Sequence, residues 1–375
     1  MNGGTVMQDR PLIVGAGPTG LAAALFLALK GIQARLIDQA EAPERQSRAL
    51  AVNPRTLELL SPTGVADAIR ADGHRMRRVR FHRDWQPVAE LAFDARSRCM
   101  LVLPQARTEA LLREALARLG VEPERGARFE GLRQDADGVV ATLSHGEGKE
   151  METARAPVML GADGAHSRVR AALGIAFEGS VFPEEWPLCD LHLDDPLDLE
   201  SAHVNFIDDG LIFMLGLSPG LWRVFGNVPD ILDHLPPGSR PGATEWRSSF
   251  HVSHRLAERE TCGRVALAGD AAHLHSPVGA RGMNLGIEDA YVFAECAADA
   301  LGGRLDRLAD YGRLRREVHR EVVGRVKALT QFARGRPAAL GALRPYLVPA
   351  MTRFPPVANV MLDTLTGLDH EVRVR

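Results

Sequence analysis

Six residues near the start of the chain, Gly15-Ala16-Gly17-Pro18-Thr19-Gly20, limit the possible fold more than any other stretch. They follow the apolar run Pro11-Leu12-Ile13-Val14, which reads as a buried parallel strand. They precede residues 21–29, which read as a helix with Gly31 suited to its C-terminal cap. Residues 34–38 form the next strand and end on Asp38. The glycines have separate duties in such a unit. Gly15 permits a tight turn, Gly17 lets bare backbone approach a phosphate, and Gly20 lets helix and strand pack closely. Pro18 and Thr19 open the helix, whose free N–H groups and dipole favour an anion. Asp38 is placed to accept hydrogen bonds from ribose hydroxyls. A βαβ unit of this kind predicts a doubly wound layer and a bound dinucleotide, without saying which one.

The rest of the chain supports an α/β layer that is interrupted and then re-entered. Helical patterns cover residues 55–60 and 108–119, with extended character over 76–103 between them. Residues 156–160 and 264–268 are short apolar strands. Between these strands the texture changes. Residues 202–207, 211–217 and 221–228 are extended runs split by Asp208-Asp209-Gly210 and Ser218-Pro219-Gly220, the pattern of an antiparallel meander. A long loop then leads to a helix from about Leu285. Beyond it, Leu308, Leu314, Val318, Val322, Val326 and Leu329 recur at mostly helical spacing and read as core packing.

Bulk properties remove several function classes. The 375 residues are 45% hydrophobic and 25% charged, which suits a folded chain with a substantial core. A net charge of -3 gives no basis for nucleic-acid binding. Cys99, Cys189, Cys262 and Cys296 form no C-x-x-C pair, so neither a zinc site nor a disulfide framework is expected. No apolar run is long enough for a membrane span, and no signal peptide precedes the first strand, so a cytoplasmic location is expected. Either a monomer or a homodimer fits.

Two further motifs narrow the cofactor. Asp163-Gly164-Ala165-His166-Ser167-Arg168-Val169-Arg170 follows the strand at 156–160, and Gly269-Asp270-Ala271-Ala272-His273 follows the strand at 264–268. With the N-terminal fingerprint, these motifs resemble the FAD-dependent aromatic hydroxylases, the flavoprotein monooxygenases of the para-hydroxybenzoate hydroxylase type. The resemblance covers about residues 10–330. It implies a Rossmann-like FAD-binding domain interrupted by an antiparallel-sheet substrate domain, with a helical C-terminal region. The implied boundaries are 1–75, 104–180 and 263–330 for the FAD-binding domain, 76–103 and 181–262 for the sheet domain, and 331–375 for the helical segment.

The resemblance also assigns residues. Gly15, Gly17, Pro18, Thr19, Gly20 and Asp38 would hold the adenine dinucleotide half. Asp270 would accept from the ribityl hydroxyls, Gln105 would contact the same chain, and Asp163 with Arg170 would shape the pyrophosphate region. Arg48 corresponds to an arginine near the flavin, with Arg45 as the rival, and Arg107 is a candidate for the phosphates. Residues 276–286 form the flavin loop: Pro277 offers a carbonyl, and Gly282, Met283 and Asn284 place a helix N-terminus at the flavin edge that becomes negative on reduction. Pro277, Gly282 and Asn284 are therefore the catalytic candidates. Ala280-Arg281 departs from relatives, which usually carry a glycine and a small or amide residue there. His273 and His275 are acid–base candidates by type, although His273 in this context packs behind the loop.

The implied activity uses NADH or NADPH and O2, and inserts one oxygen atom into an aromatic or polyketide-like molecule through a flavin C4a-hydroperoxide. His203, Phe213, Trp222, Arg223 and Phe225 are the pocket candidates, with Asn205, Phe206 and Met214 beside them. No metal site is expected: there is no HExxH and no ligand cluster at metal spacing. A flavin reductase or dehydrogenase, an N-hydroxylase, an epoxidase and a catalytically silent flavin-binding protein remain as alternatives.

Overall fold

The computed structural model describes residues 6–7, 10–44, 49–93, 99–146, 150–194, 197–208, 210–335 and 338–375. Arg45 and Arg48 lie outside the described residues. The founding unit is a six-stranded sheet in the order Thr261–Cys262, Val265–Leu267, Met159–Gly161, Leu12–Val14, Arg35–Asp38, Glu124–Arg125. All its pairings are parallel except that of the edge strand Thr261–Cys262. The fingerprint helix Pro18–Leu29 is buried from Thr19 through Leu27. A helix apolar on every side must be covered on every side. Here the helices Gln105–Arg118 and Gly282–Leu301 pack against it. Each fully buried Leu or Phe contributes roughly 1.5–3 kcal/mol relative to exposure.

The second layer is an eight-stranded sheet in the order His273–Leu274, Arg240–Ala257, Phe177–Asp194, Leu221–Gly226, Gly210–Ser218, Ser201–Ile207, Arg78–Arg83, Gln86–Ala92. The expected meander forms its middle. The strands Phe177–Asp194 and Arg240–Ala257, each of 18 residues, are additions to that reading. Pro183, Pro187 and Pro241 interrupt their alternation, and the pairing slips at three bulges, so no clean period of two was visible. Two boundaries also move. Residues 156–160 are not one strand but the end of Glu150–Ala156 and the start of Met159–Gly161. The flavin-loop helix begins at Gly282 rather than near Leu285.

Three helices, Asp306–Arg334, Ala338–Arg353 and Pro355–Thr366, close the chain. Among the described residues no helix is long and apolar enough to cross a membrane. Their packing leaves one large cleft, of about 1170 Å3, between the parallel layer, the eight-stranded sheet and these helices.

Candidate functional site

The cleft begins at the fingerprint. Gly15 has φ +105°, and a Cβ there would lie 2.2 Å from the Ala162 carbonyl oxygen. A Cβ on Gly20 would lie 1.8 Å from the Gly15 carbonyl oxygen. These two glycines serve packing. Gly17 differs: among the described residues nothing is within 4 Å of where its Cβ would be, and it lines the cleft with Pro18 and Thr19. The Thr19 hydroxyl is also where the other motifs converge, since a Cβ on Gly269 or Gly286 would come within 2.5 or 2.3 Å of it. Asp38 closes the turn from the next strand, accepting from the N–H groups of Ala16 at 2.6 Å and Ala40 at 2.8 Å.

The second motif is partly corrected. Asp163 accepts from the Ser167 hydroxyl at 2.6 Å, Arg168 N–H at 2.7 Å and Val169 N–H at 3.1 Å. It is not among the cleft-lining residues, and its carboxylate serves the start of the helix Arg168–Ala172 instead. The cleft is reached by its neighbours Gly164, Ala165, His166 and Arg170. Arg170 donates to the carbonyls of Ala271 at 2.9 Å and Ala165 at 3.0 Å, and its guanidinium lies 3.8 Å from the Phe177 ring centre. Arg255, which the sequence did not single out, lines the same mouth and makes no ion pair among the described residues. Burial and the nearby Arg255 charge lower the Arg170 pKa, with Asp163 opposing.

Asp270 is exposed and lines the cleft in the turn Gly269–Ala271, whose cap is Ala268, so it does not act as the helix cap. Gln105 lines the cleft from the first residue of its helix and donates to Glu109 at 2.9 Å. Arg107 is off the cleft and paired with Asp72 and Glu114.

The flavin loop presents Pro277, Gly279, Ala280, Gly282 and Met283 to the cleft. A Cβ on Gly282 would meet only His275, at 3.8 Å, so backbone faces open space there. The Pro277 carbonyl accepts from Ala280 N–H at 2.9 Å and closes the turn. Asn284 does not reach the cleft with its side chain. Its side chain is buried and fully used: Oδ1 accepts from Asn53 N–H and the Thr56 hydroxyl, and Nδ2 donates to the carbonyls of Ala51 and Ala280. It staples the loop to the helix Pro54–Leu60 and does not line the cleft.

Behind the loop, His273 and His319 each place Nε2 against an oxygen of Asp289, at 2.8 and 2.7 Å. These three offer ligand atoms within 4.8 Å of one another, but Arg315 Nε donates to the same carboxylate at 2.7 Å and already supplies its positive partner. Desolvation opposes ionisation of Asp289, yet the surrounding His319, Arg315 and His273 hold its carboxyl well below the usual range. His275 does line the cleft. Its Nδ1 lies 3.0 Å from the Ser276 carbonyl, and its Nε2 has no partner among the described residues. Burial, assisted by His273, pushes its pKa down to about 3.

The sheet wall obeys strand alternation. Ala202, Val204 and Phe206 face the cleft, as do Leu211, Phe213 and Leu215, and then Arg223 and Phe225. His203 and Trp222 are corrected: each sits one residue out of phase, off the cleft, at 0% and 2% exposure. Trp222 packs with Cys189, Ile212, Met214 and Val224 on the far face. Asn205 and Met214 are out of phase in the same way. Arg223 reaches the cleft already paired with Asp190 through two contacts of 2.6 Å. The third wall, from Leu329 and Phe332 to Met351 and Met361, was not anticipated, because Leu329 read as core.

A flavin dinucleotide fits these residues. Bare backbone faces the cleft at Gly17, Gly164 and Gly282, and among the described residues nothing stands where side chains would be at the first two. Comparison with known proteins agrees. The FAD binding domain family matches residues 10–210 and 230–326. The 6-methylpretetramide 4-monooxygenase of Streptomyces rimosus is 35% identical over 369 residues, covering 92% of this chain; the chain spans 65% of that relative's length. The rifampicin monooxygenase of Streptomyces venezuelae is 31% identical over 378 residues, covering 95% of this chain and 78% of its own. Among solved structures, p-nitrophenol 4-monooxygenase of Pseudomonas putida DLL-E4 superposes with a TM-score of 0.85 at 26% identity, covering 96% of this chain and 98% of that one. From its motifs, fold and relatives alike, this FAD-binding chain belongs to the FAD-dependent aromatic hydroxylase family.

Proposed function

We propose that the chain is an FAD-dependent monooxygenase that consumes NADH or NADPH and places one atom of O2 on an aromatic or polyketide-like small molecule. One observation carries the reading: bare dinucleotide-binding backbone and an aromatic sheet face, including Phe206, Phe213 and Phe225, line a single cleft. When bound, FAD supplies reduction by a nicotinamide and the activation of dioxygen.

The chain's own residues would do the remainder. Gly17, Pro18 and Thr19 would face the pyrophosphate and Gln105 and Asp270 the ribityl chain, while Asp38 would hold the turn at Ala16 beside the ribose. The first-turn N–H groups of Gly282 and Met283 lack intrahelical acceptors, and there they would stabilise negative charge on the reduced ring. The phenylalanine wall would seat a flat substrate and exclude water. Arg170 and Arg255 at the mouth form a cationic pair suited to the nicotinamide co-substrate's phosphates.

The test is NADH and NADPH oxidation with a panel of phenolic and polycyclic compounds, followed by labelled dioxygen. At least one compound accelerates oxidation, and one labelled atom appears in the product. Arg255→Gln raises the KM for the nicotinamide by about tenfold, the loss of one charge-assisted contact, without weakening FAD. Product formed without O2 and carrying no label makes the chain a reductase or dehydrogenase. Oxygen on nitrogen, or across a double bond, makes it an N-hydroxylase or epoxidase.

A further inference from the structure

Arg281 directly precedes the helix Gly282–Leu301, where a positive side chain gains nothing from the helix dipole. Its side chain is nonetheless 1% exposed. Nη1 donates to the Thr364 carbonyl at 2.7 Å and to Asp369 Oδ1 at 3.0 Å. Asp369 lies in the turn after the helix Pro355–Thr366, also faced by Arg325 at 3.0 Å and by its neighbour His370 at 3.0 Å. His370 in turn places Nε2 2.8 Å from Glu288 Oε1. Glu288 stands two helical turns after Arg281, on the same face of the flavin-loop helix. The turn also receives Arg55, which donates to the Gly367 and His370 carbonyls at 3.5 and 3.1 Å. Residues 367–370 therefore grip the loop helix at Arg281 and Glu288, and the helix Pro54–Leu60 at Arg55.

The residue gripped beside Arg281 is a strained one. Ala280 has φ +52°, a left-handed conformation that side chains rarely adopt. Its carbonyl is held by Asn284 Nδ2 at 2.7 Å, and its successor is anchored through Arg281. Both Ala280 and Arg281 line the cleft.

We propose that Arg281 is a positioning residue for FAD, and that residues 367–370 latch the flavin loop through the Arg281–Asp369 pair. The latch keeps Ala280 left-handed and so fixes the backbone of residues 279–283 that the cofactor meets. Because the pair is buried, losing Asp369 strands the Arg281 charge, whereas Asp369 without Arg281 keeps Arg325 and His370; losing both is no worse than losing Asp369. This inference rests on FAD binding and not on the oxygenase reading, so failure to hydroxylate any substrate leaves it standing.

The test uses Arg281→Gln, Asp369→Asn, the double variant and, as a control for general destabilisation, Ile231→Ala on the far face of the eight-stranded sheet. FAD affinity is read by fluorescence, and amide exchange at residues 279–283 is read in the apoprotein. Each single variant weakens FAD by about tenfold, the coupling typical of contacting pairs, and speeds exchange in the loop. The double variant is no weaker than the worse single. Ile231→Ala lowers the melting point while leaving affinity within about twofold, because the site is distant and shares no partner with the loop. Single variants that bind FAD like the wild type, or a control that weakens it equally, overturn the proposal. Wild-type protein gives an arm free of folding failure. Added FAD slows exchange at residues 367–370, which do not line the cleft, because coupling is reciprocal. Unchanged exchange there refutes the latch.

Discussion

Gly17 and Gly20 stand three residues apart, and the structure gives them different tasks. A Cβ at Gly20 meets a backbone oxygen at 1.8 Å, and no side-chain movement relieves it. Gly20→Ala therefore separates helix from strand, costing about 3 kcal/mol or more and lowering folded yield. Gly17 has φ -76° and open space where its Cβ would be. Gly17→Ala changes the apoprotein's stability by no more than about 1 kcal/mol, because the stiffer unfolded chain offsets the poorer N-cap. Its FAD affinity falls. Undiminished affinity in this variant shows that Gly17 does not approach the pyrophosphate. Spacing made these glycines legible, because a missing side chain has the same consequence in any chain that makes this turn. Polar residues were harder. Asn284 and Asp163 have the right chemistry for a ligand, but each is consumed by neighbouring backbone and hydroxyl groups. Sequence shows donors and acceptors, not who has already taken them.

At the scale of elements, strand phase was the missing information. Trp222 and Arg223 are adjacent, so only one of them can face the cleft, and an isolated strand does not say which. Phase is set by pairing: Phe213 lies opposite Val204 on one side and Phe225 on the other, which puts all three on the cleft side. The same alternation buries His254 between Ser253 and Arg255, at 3% exposure, with neither ring nitrogen partnered. It lies against Phe182, with ring centres 5.0 Å apart, and feels Lys327 and Arg334 from the long helix and His275 from the loop. Burial first, then those cations, pull its pKa down to about 4. The unfolded chain titrates near 6.5. Between these values the unfolded state binds the extra proton, so His254 makes the fold less stable as pH falls from about 6.5 toward 4. His319 and His370, whose pKa values are raised, act in the opposite sense. Their contribution is complete below about 6.5 and is lost as pH rises through their folded values. His254→Phe should thus flatten the fall in unfolding free energy between pH 7 and pH 5, by at most about 1.4 kcal/mol per pH unit. Thermal melts of both proteins across that range decide it, and an identical slope rejects His254 as a source.

At the scale of the whole molecule, the cleft is assembled from segments that are remote in sequence. The end proposed for the cofactor is lined by Gly17–Thr19 near the start, and the opposite walls are the sheet phenylalanines and the C-terminal helices. The motifs that line that end were visible in the sequence because each of them is local. The third wall was not, because the apolar helix residues that build it look the same whether they face a core or a ligand. Met351 and Met361 belong to that wall, and methionine adapts its shape to irregular surfaces. If these helices confine the substrate, as the proposed function requires, filling the wall alters substrate choice and spares the cofactor. Met351→Trp adds an indole to the apolar slot at some distance in sequence from every dinucleotide motif. FAD affinity and the flavin spectrum then stay as in the wild type. The KM for a polycyclic ligand that stimulates NAD(P)H oxidation rises about tenfold, within the range for one misfitted apolar group, while single-ring phenols lose less. A variant that instead loses FAD and treats large and small ligands alike shows that this wall meets the flavin. In that case the sheet face alone, through Phe206, Phe213 and Phe225, is left to select the substrate.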